Sequence, residues 1–378
     1  MHSNWHTTTL GETLPFSYGK NLPAKTRSHT GEFDVVTSAG VVDSHNEAYV
    51  HVPSIVIGRK GTIGSLTYCP NPVWPTDTTF FATETDLCNL RFGYYLLHTL
   101  HLRELNNDSA VPGLNRSDAH ALEIHLPPLS EQVGIAKVLG ALDDKIAAND
   151  RLTTIALMLQ RSYWTKTVGE LTKVTLPKVS NPILGGTPKR SDEALWEGNN
   201  LWASVADMTK APQSHLVDTA EKISDVAIQT RRFSPLPAGS VLMSARGTVG
   251  RIVSTTKPTS FNQSAYGFVP PEGCGPALRL ALLDVVAELK SKSYGSVFST
   301  ITKQQINECT VPDVFNPQFD ELHTLLNTLE SRIIAAELEN QVLARTRDEL
   351  LPLLMSGRIT VGEAEEAADV AGTAASES

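Results

Sequence analysis

The 378-residue sequence contains only four cysteines, Cys69, Cys88, Cys274 and Cys309, and no two lie close enough for a Cys-x-x-Cys pair. Neither a disulfide framework nor a zinc ribbon is expected, and the reduced thiols of a cytoplasmic protein fit best. No uncharged apolar run reaches the roughly 18 residues that a membrane span requires. The opening Met-His-Ser-Asn-Trp-His lacks the basic start and apolar stretch of a signal peptide. A Gly-x-x-x-x-Gly-Lys-Ser/Thr nucleotide loop is missing as well. His98 and His101 fall on one face of an expected helix, but no carboxylate or thiol completes a metal set with them. No catalytic residue and no metal site is therefore expected in the chain itself.

Basic residues are in deficit, 32 against 41 acidic, for a net charge of −9. The deficit is uneven. Residues 1–127 carry 8 basic against 12 acidic side chains, and residues 128–170 carry 5 of each. Residues 171–312 carry 15 against 11, residues 313–357 carry 3 against 8, and residues 358–378 carry 1 against 5. A polyanionic partner responds to local charge rather than to the total. One long segment thus remains suited to such a partner, while the balance of the chain argues against unaided non-specific binding.

The sequence repeats itself. Ile55-Val56-Ile57-Gly58-Arg59-Lys60-Gly61-Thr62-Ile63-Gly64 matches Val241 through Gly250 at an offset of 186. Each copy reads as an apolar strand followed by a Gly-Thr-x-Gly turn with a basic residue before it. Leu142-Asp143-Asp144-Lys145-Ile146 matches Leu329 through Ile333 at an offset of 187. Two blocks at nearly one offset describe a duplicated unit, a globular part followed by a helix.

After Pro127-Pro128, Ser130 reads as a helix cap with Glu131 in the first turn. Ile135, Leu139, Leu142 and Ile146, then Leu152, Ile155 and Leu159, suggest one buried stripe. From about Phe319 to Leu350, Leu322, Leu326, Leu329, Ile333, Ala336, Asn340, Leu343, Arg347 and Leu350 recur in steps of four and three. Asn340 is a polar seam position, and the same walk along the first helix reaches Asn149. Packed against each other, antiparallel, the helices would form a rod of roughly 55 Å at 1.5 Å per residue. Two unrelated amphipathic helices on separate domains are the alternative. The globular parts carry short β-branched and aromatic runs between Gly, Pro, Asn and Asp clusters, with helices expected near 90–105 and 277–291. The expected fold is α+β: two strand-rich domains, 1–127 and 171–314, separated by two long antiparallel helices, 128–170 and 315–357, packed as a coiled coil. The Ala/Glu/Ser-rich tail 358–378 is expected to be unstructured.

Leu126-Pro127-Pro128-Leu129-Ser130-Glu131-Gln132, with Ile135-Ala136, the Leu142–Ile146 block and Asn149, resembles the central conserved region of type I restriction–modification specificity subunits. Gly185-Gly186-Thr187-Pro188-Lys189, Trp196, Leu201-Trp202-Ala203-Ser204 and Asp207-Met208 resemble the opening of one of their target recognition domains. Ser244 through Gly250 with Asn262-Gln263 resembles the middle of that domain, and Leu350 through Gly357 the end of the distal helix. The set covers nearly the whole chain except the last twenty or so residues. Two departures stand out. Ser17-Tyr18-Gly19-Lys20 replaces a Gly-Gly-Thr-Pro-like turn in the first domain, where the Trp-rich segment is missing. Asn316-Pro317-Gln318 replaces the Glu-Gln pair of the second helix.

The resemblance implies that each recognition domain reads half of a bipartite double-stranded DNA site. The helices would set the spacing and dock two modification subunits carrying S-adenosylmethionine for adenine N6 methylation. Restriction subunits would add ATP- and Mg-dependent translocation and cleavage. For DNA contact the candidates are Arg59, Lys60, Thr62, Thr187, Lys189, Arg190, Arg231, Arg232, Ser244, Arg246, Thr248, Asn262, Gln263 and Lys303; arginine and lysine suit guanine or phosphate, and amides suit adenine. For docking and the helix seam they are Glu131, Gln132, Leu139, Leu142, Asp143, Ile146, Asn149, Leu326, Leu329, Ile333 and Asn340. The plainer alternative is that the Gly-Thr-x-Gly turns only close hairpins. An interaction scaffold without DNA reading, or a self-contained enzyme, are the competing functions. The nearest approach to an enzyme motif is Asn71-Pro72-Val73-Trp74, similar to the Asn/Asp-Pro-Pro-aromatic motif of amino methyltransferases. It lacks the second proline and any Gly-rich cofactor loop, and reads as a proline loop.

Overall fold

The computed structural model describes residues 4–105, 113–169, 171–211, 214–229, 233–292 and 299–376. The chain divides into two units, one of Met1–Ile146 with Val342–Glu377 and one of Ala147–Gln341. Along the first run the elements are β1 (His6–Thr9), α1 (Leu10–Thr13), β2 (Ser17–Tyr18), β3 (Phe33–Thr37), β4 (Gly40–His45), β5 (Ser54–Gly58), β6 (Leu66–Cys69), β7 (Val73–Pro75), β8 (Thr79–Thr83), α2 (Leu90–Thr99), α3 (Arg116–His120), β9 (Glu123–Leu126) and the 40-residue α4 (Leu129–Val168). The strands form a four-stranded sheet β2-β8-β5-β6, a three-stranded sheet β4-β3-β7 and the pair β1-β9. Central β5 is buried at every residue, which explains its unbroken apolar run. Its alternation is nonetheless functional. Ile55 and Ile57 pack with Phe80, Phe92 and Leu96, whereas Val56 faces Val36 and Val73.

The second unit repeats this plan. It holds β10 (Lys173–Thr175), α5 (Leu176–Val179), β11 (Ile183–Leu184), β12 (Asn200–Ala203), α6 (Val205–Lys210), β13 (His215–Leu216), β14 (Glu221–Ile223), α7 (Asp225–Ile228), β15 (Val241–Ser244), β16 (Ile252–Thr255), β17 (Thr259–Phe261), β18 (Ala265–Phe268), α8 (Gly275–Lys292), α9 (Lys303–Glu308), β19 (Thr310–Pro312) and the first part of α10 (Asp320–Met355). The strand orders are β11-β18-β15-β16-β13, β14-β12-β17 and β10-β19. Apart from β13, added parallel to β16 at the edge, each strand has its counterpart in the first unit. Here Val241 and Met243 pack on α8 residues and Leu242 faces Ala203 and Phe261, the same division of faces.

Helix α4 packs antiparallel against α10. In the first unit Ile135, Leu139 and Leu142 share a core with Leu343, Leu350 and Leu354. In the second, Asn149 donates to Asn340 at 2.9 Å and to Glu339 at 2.7 Å, and Asn340 donates to Asp150 at 2.9 Å. One expectation is corrected. Leu152, Ile155 and Leu159 do not line the seam; they are 43%, 58% and 42% exposed. The four–three walk continues instead through Asn149, Thr153, Ala156 and Gln160, all buried. The seam keeps its register but turns polar, so hydrophobicity alone followed the neighbouring face.

The tail is a second correction. Residues Val361–Ser376 form α11, opened by Thr360, whose hydroxyl and backbone N–H meet the Glu363 carboxylate at 2.8 Å. Ala364 is fully buried, and Val361 lies against Gly134 of α4. Composition suggested disorder because alanine carries little apolar area, yet small side chains are what permit close helix contact. His98 and His101 are also separated: α2 ends at Thr99, and His101 adopts φ 46° in the following turn.

Candidate nucleic-acid interface

At one end of the large sheet in each unit, three backbone segments meet in the same way. The Gly-Thr-x-Gly turns close the antiparallel hairpins β5–β6 and β15–β16. Gly61 and Gly64 have φ of 79° and 70°, and Gly247 and Gly250 have 74° and 80°. These values lie in the left-handed region that costs other residues strain, so the repeated glycines are scaffold. In the first unit the N–H groups of Arg59 and Lys60 donate to Thr78 O at 2.9 and 3.1 Å. Leu114 N donates to Arg59 O at 2.9 Å. In the second, Ala245 N and Arg246 N donate to Ser264 O at 2.7 and 3.2 Å, and Ile301 N donates to Ala245 O at 3.0 Å.

The third segment is the turn after β2 or β11. Gly19 N bonds Thr79 O and Lys20 N bonds Pro75 O; Gly185 N bonds Ala265 O and Gly186 N bonds Phe261 O. A Cβ on Gly19 would stand 2.1 Å from Thr76 O, and one on Gly185 2.3 Å from Asn262 O. Only glycine fits either place. An indole then closes each turn: Trp74 Nε1 donates to Lys20 O and Trp202 Nε1 to Gly186 O, both at 2.9 Å. Trp74 thus takes in the first unit the part that Trp202 plays in the second. Val35 faces Trp74 across β3–β7, and Trp202 faces Ser260 across β12–β17. The tryptophan has moved to the partner strand of the same registered pair. Cations stack on both: Lys20 over Tyr49 and Trp74, Arg190 over Trp196 at 3.9 Å and Trp202 at 5.3 Å.

The structure sorts the predicted contact residues. Lys60, Thr62, Lys189, Arg246, Thr248, Gln263 and Lys303 are exposed, and Arg59, Thr187 and Asn262 half-exposed. Thr187 donates its hydroxyl to Gln263, joining two of the turns. Asn262 spends its carbonyl oxygen on Ser264 N at 3.1 Å. Arg190 is held by both oxygens of Glu221, which lowers the Glu221 pKa through that bond. Ser244 is a correction. It is fully buried, and its hydroxyl serves Thr248 O and Arg251 N inside the hairpin. Arg231 and Arg232 lie outside the described residues. Arg116, which sequence reading passed over, begins α3 as Lys303 begins α9, each just after a capping side chain, Asn115 or Thr302.

Among the docking candidates, Gln132 is buried and committed internally. Its amide donates to Leu87 O and Pro127 O and accepts from Asn89 N, at 2.9 to 3.0 Å. Asp143 accepts from Tyr95 Oη at 2.5 Å and Arg347 at 2.7 Å, while Asp144 takes Arg91 at 2.7 Å. The acidic pair fastens α4 to α2 and α10. In the second unit a buried polar network does comparable work. His215 of β13 meets Glu330 at 2.9 Å and Glu337 at 3.1 Å, and Glu330 also accepts from Arg279 at 2.7 Å and Gln160 at 2.9 Å. Burial opposes both charges, yet the partners prevail: Glu330 is held down to about 2 and His215 is raised. Burial pushes the Cys69 and Cys88 thiols up to about 12, the behaviour of inert core cysteines. Among the described residues no group of three or more His, Cys, Asp and Glu is placed to hold a metal ion, and no helix is long and apolar enough to cross a membrane.

A model of the type I restriction modification DNA specificity domain matches residues 2–155 and 169–335. The type I restriction enzyme HindI specificity subunit of Haemophilus influenzae is 22% identical over 265 residues, covering 69% of this chain and 55% of that protein. The MjaIX specificity subunit of Methanocaldococcus jannaschii is 21% identical over 169 residues, 44% of this chain and 39% of that protein. The chain spans about half the length of the curated relatives it matches. The crystal structure of a type I restriction–modification S subunit from M. genitalium shares the fold with a TM-score of 0.67 at 17% identity, covering 93% of this chain and 96% of that one.

Proposed function

Since the chain belongs to the type I restriction–modification DNA specificity family, we propose that it reads a bipartite DNA site, one half with each unit. What carries this reading is the duplicated sheet end. Two diverged copies of one duplicated unit build the same three-turn platform and set a cation on the hairpin turn, Lys60 or Arg246, and another at a short helix start, Arg116 or Lys303. A fixed backbone with differing side chains is what two readers of different half-sites need. The chain itself supplies no catalytic group. Two modification subunits dock on the paired helices and bring S-adenosylmethionine to a flipped adenine in each half-site. Restriction subunits bring ATP and Mg. With a net charge of −9, much of the phosphate contact falls to these partners.

The test is co-expression with the modification subunits followed by methylation mapping of genomic DNA. Methylation at a single bipartite motif that disappears without this chain is the expected result. A stable complex that leaves no motif modified would make the chain an interaction scaffold instead. Methylation or cleavage by the purified chain alone would make it an enzyme. The ruler role has its own test: deleting one heptad from both α4 and α10 should shorten the permitted spacer, and an unchanged spacer contradicts it.

A further inference from the structure

The two platforms are superposable in their hydrogen bonding but differ in what they display, and that difference identifies a reading group in the first unit. Tyr18 and Leu184 end the equivalent strands β2 and β11 and are both exposed, at 48% and 54%. Arg59 and Ala245 make the same backbone bonds, as do the segments that lead into Arg116 and Lys303. In the first unit the differing residues come together. The Arg59 and Arg116 guanidinium carbons each lie 5.0 Å from the centroid of the Tyr18 ring, which itself meets Phe80 edge-on at 5.0 Å. Arg59 also bonds Asp77 O at 3.5 Å, and among the described residues neither guanidinium is paired with a carboxylate. The second unit's stacked arginine, Arg190, is neutralised by Glu221. Two arginine charges are thus gathered on one exposed ring, within a segment whose overall balance is acidic.

Resting on the reading that this platform faces DNA, we infer that Arg59 and Arg116, ordered by Tyr18, are the base-reading pair of the first unit and take the guanine edge. A guanidinium laid on an aromatic ring keeps its fork in a defined plane, which suits the paired O6 and N7 acceptors of guanine. Phosphate needs only a mobile point charge, and Lys60 beside them provides one. Tyr18 is a positioning residue, acting through the two forks.

The second unit supplies the test variants, since its equivalent positions show which residues the scaffold accepts: Tyr18→Leu, Arg59→Ala and Arg116→Lys. Each is placed in the full chain, assembled with the modification subunits. Methylation mapping and binding to duplexes carrying guanine or 7-deazaguanine are the readouts. The expected result is that one half-site loses a guanine requirement while the other half-site and the spacer stay unchanged. Discrimination against 7-deazaguanine should fall by about tenfold or more. In Arg116→Lys the charge is kept, so the salt dependence should hold while discrimination falls. Uniform weakening on all sequences with a shallower salt slope would overturn the inference, making these phosphate contacts. So would an unchanged motif, or a wild-type motif with guanine in neither half-site. A wild-type complex that modifies no bipartite motif overturns the underlying reading as well.

Discussion

Replacing Glu330 by alanine should damage the second unit far more than loss of any surface ion pair. Glu330 accepts from Arg279, His215 and Gln160 at 2.7 to 2.9 Å, and the Arg279 and His215 side chains are 3% and 1% exposed. Truncation leaves a guanidinium and an imidazole buried beside a void. Removing one partner of a buried pair costs about 3–5 kcal/mol, whereas an exposed pair such as Lys222–Asp218 contributes about 0–1 kcal/mol. At a urea dependence of about 2 kcal/mol per molar, the midpoint for the second unit should fall by about 1.5–2.5 M. Amide exchange in β13, α8 and α10 around Glu330 localises the loss. The pH dependence has a defined sign. His215 is raised from 6.5, so its stabilisation is complete below that pH and fades as pH rises through the folded value. Glu330 is lowered from 4.5 to about 2, so its stabilisation is complete above 4.5 and is lost as pH falls towards 2. The gap between wild type and Glu330→Ala should therefore be widest near pH 5–6 and narrow as pH rises through the folded His215 value, without vanishing, since the Arg279 and Gln160 contacts to Glu330 remain. A midpoint within about 0.3 M of wild type at pH 5.5 would refute the argument.

Three further outcomes are expected. Asn149→Leu leaves the Asn340 side-chain oxygen in the seam without its donor and should cost about 1–3 kcal/mol in urea unfolding, with Asn149→Leu/Asn340→Leu recovering part of it. Gly185→Ala drives a Cβ to 2.3 Å from Asn262 O, so the turn must shift, at about 1–3 kcal/mol. Because the same turn orders Thr187 and Gln263, site-specific methylation by the assembled complex should fall with it. Ending the chain at Arg358 uncovers Gly134 and removes the buried Ala364; the first unit should lose about 1–3 kcal/mol, seen as faster amide exchange at the start of α4.

The parts of the fold legible in the sequence were those where one chemical signal coincides with one structural demand. The glycines at 61, 64, 247 and 250 mark the left-handed turns directly, and the apolar runs around Ile55 and Leu242 mark central strands. The antiparallel seam was legible as far as Ile146, and Asn149 and Asn340 were both reached by the heptad walk. Past Asn149 the seam passes to Thr153, Ala156 and Gln160, two polar side chains and one small one that give hydrophobic periodicity little to follow, and Leu152, Ile155 and Leu159 drew the reading onto an exposed face. Ser244 misled for the opposite reason: a hydroxyl in a basic turn looks available, but here it satisfies buried backbone groups.

The relation between the two platforms was hidden because a motif search compares positions along the chain, whereas a turn needs only a donor at a point in space. Trp74 and Trp202 satisfy that need from opposite members of equivalent parallel strand pairs, β3–β7 and β12–β17, 128 residues apart in a duplication whose offset is 186. The exchange works because Val35–Trp74 and Trp202–Ser260 are facing pairs in one register, so either strand can carry the indole if the other carries a smaller side chain. It follows that Trp74→Phe and Trp202→Phe should have matching effects despite their different strands. Each removes the donor to a turn carbonyl while keeping the aromatic bulk, and each should cost about 1–2 kcal/mol in its own unit. Urea unfolding with amide exchange resolves the two units. If Trp202→Phe were costly and Trp74→Phe neutral, the first turn would be held by something other than its indole, and the equivalence of the two platforms would fail at that point.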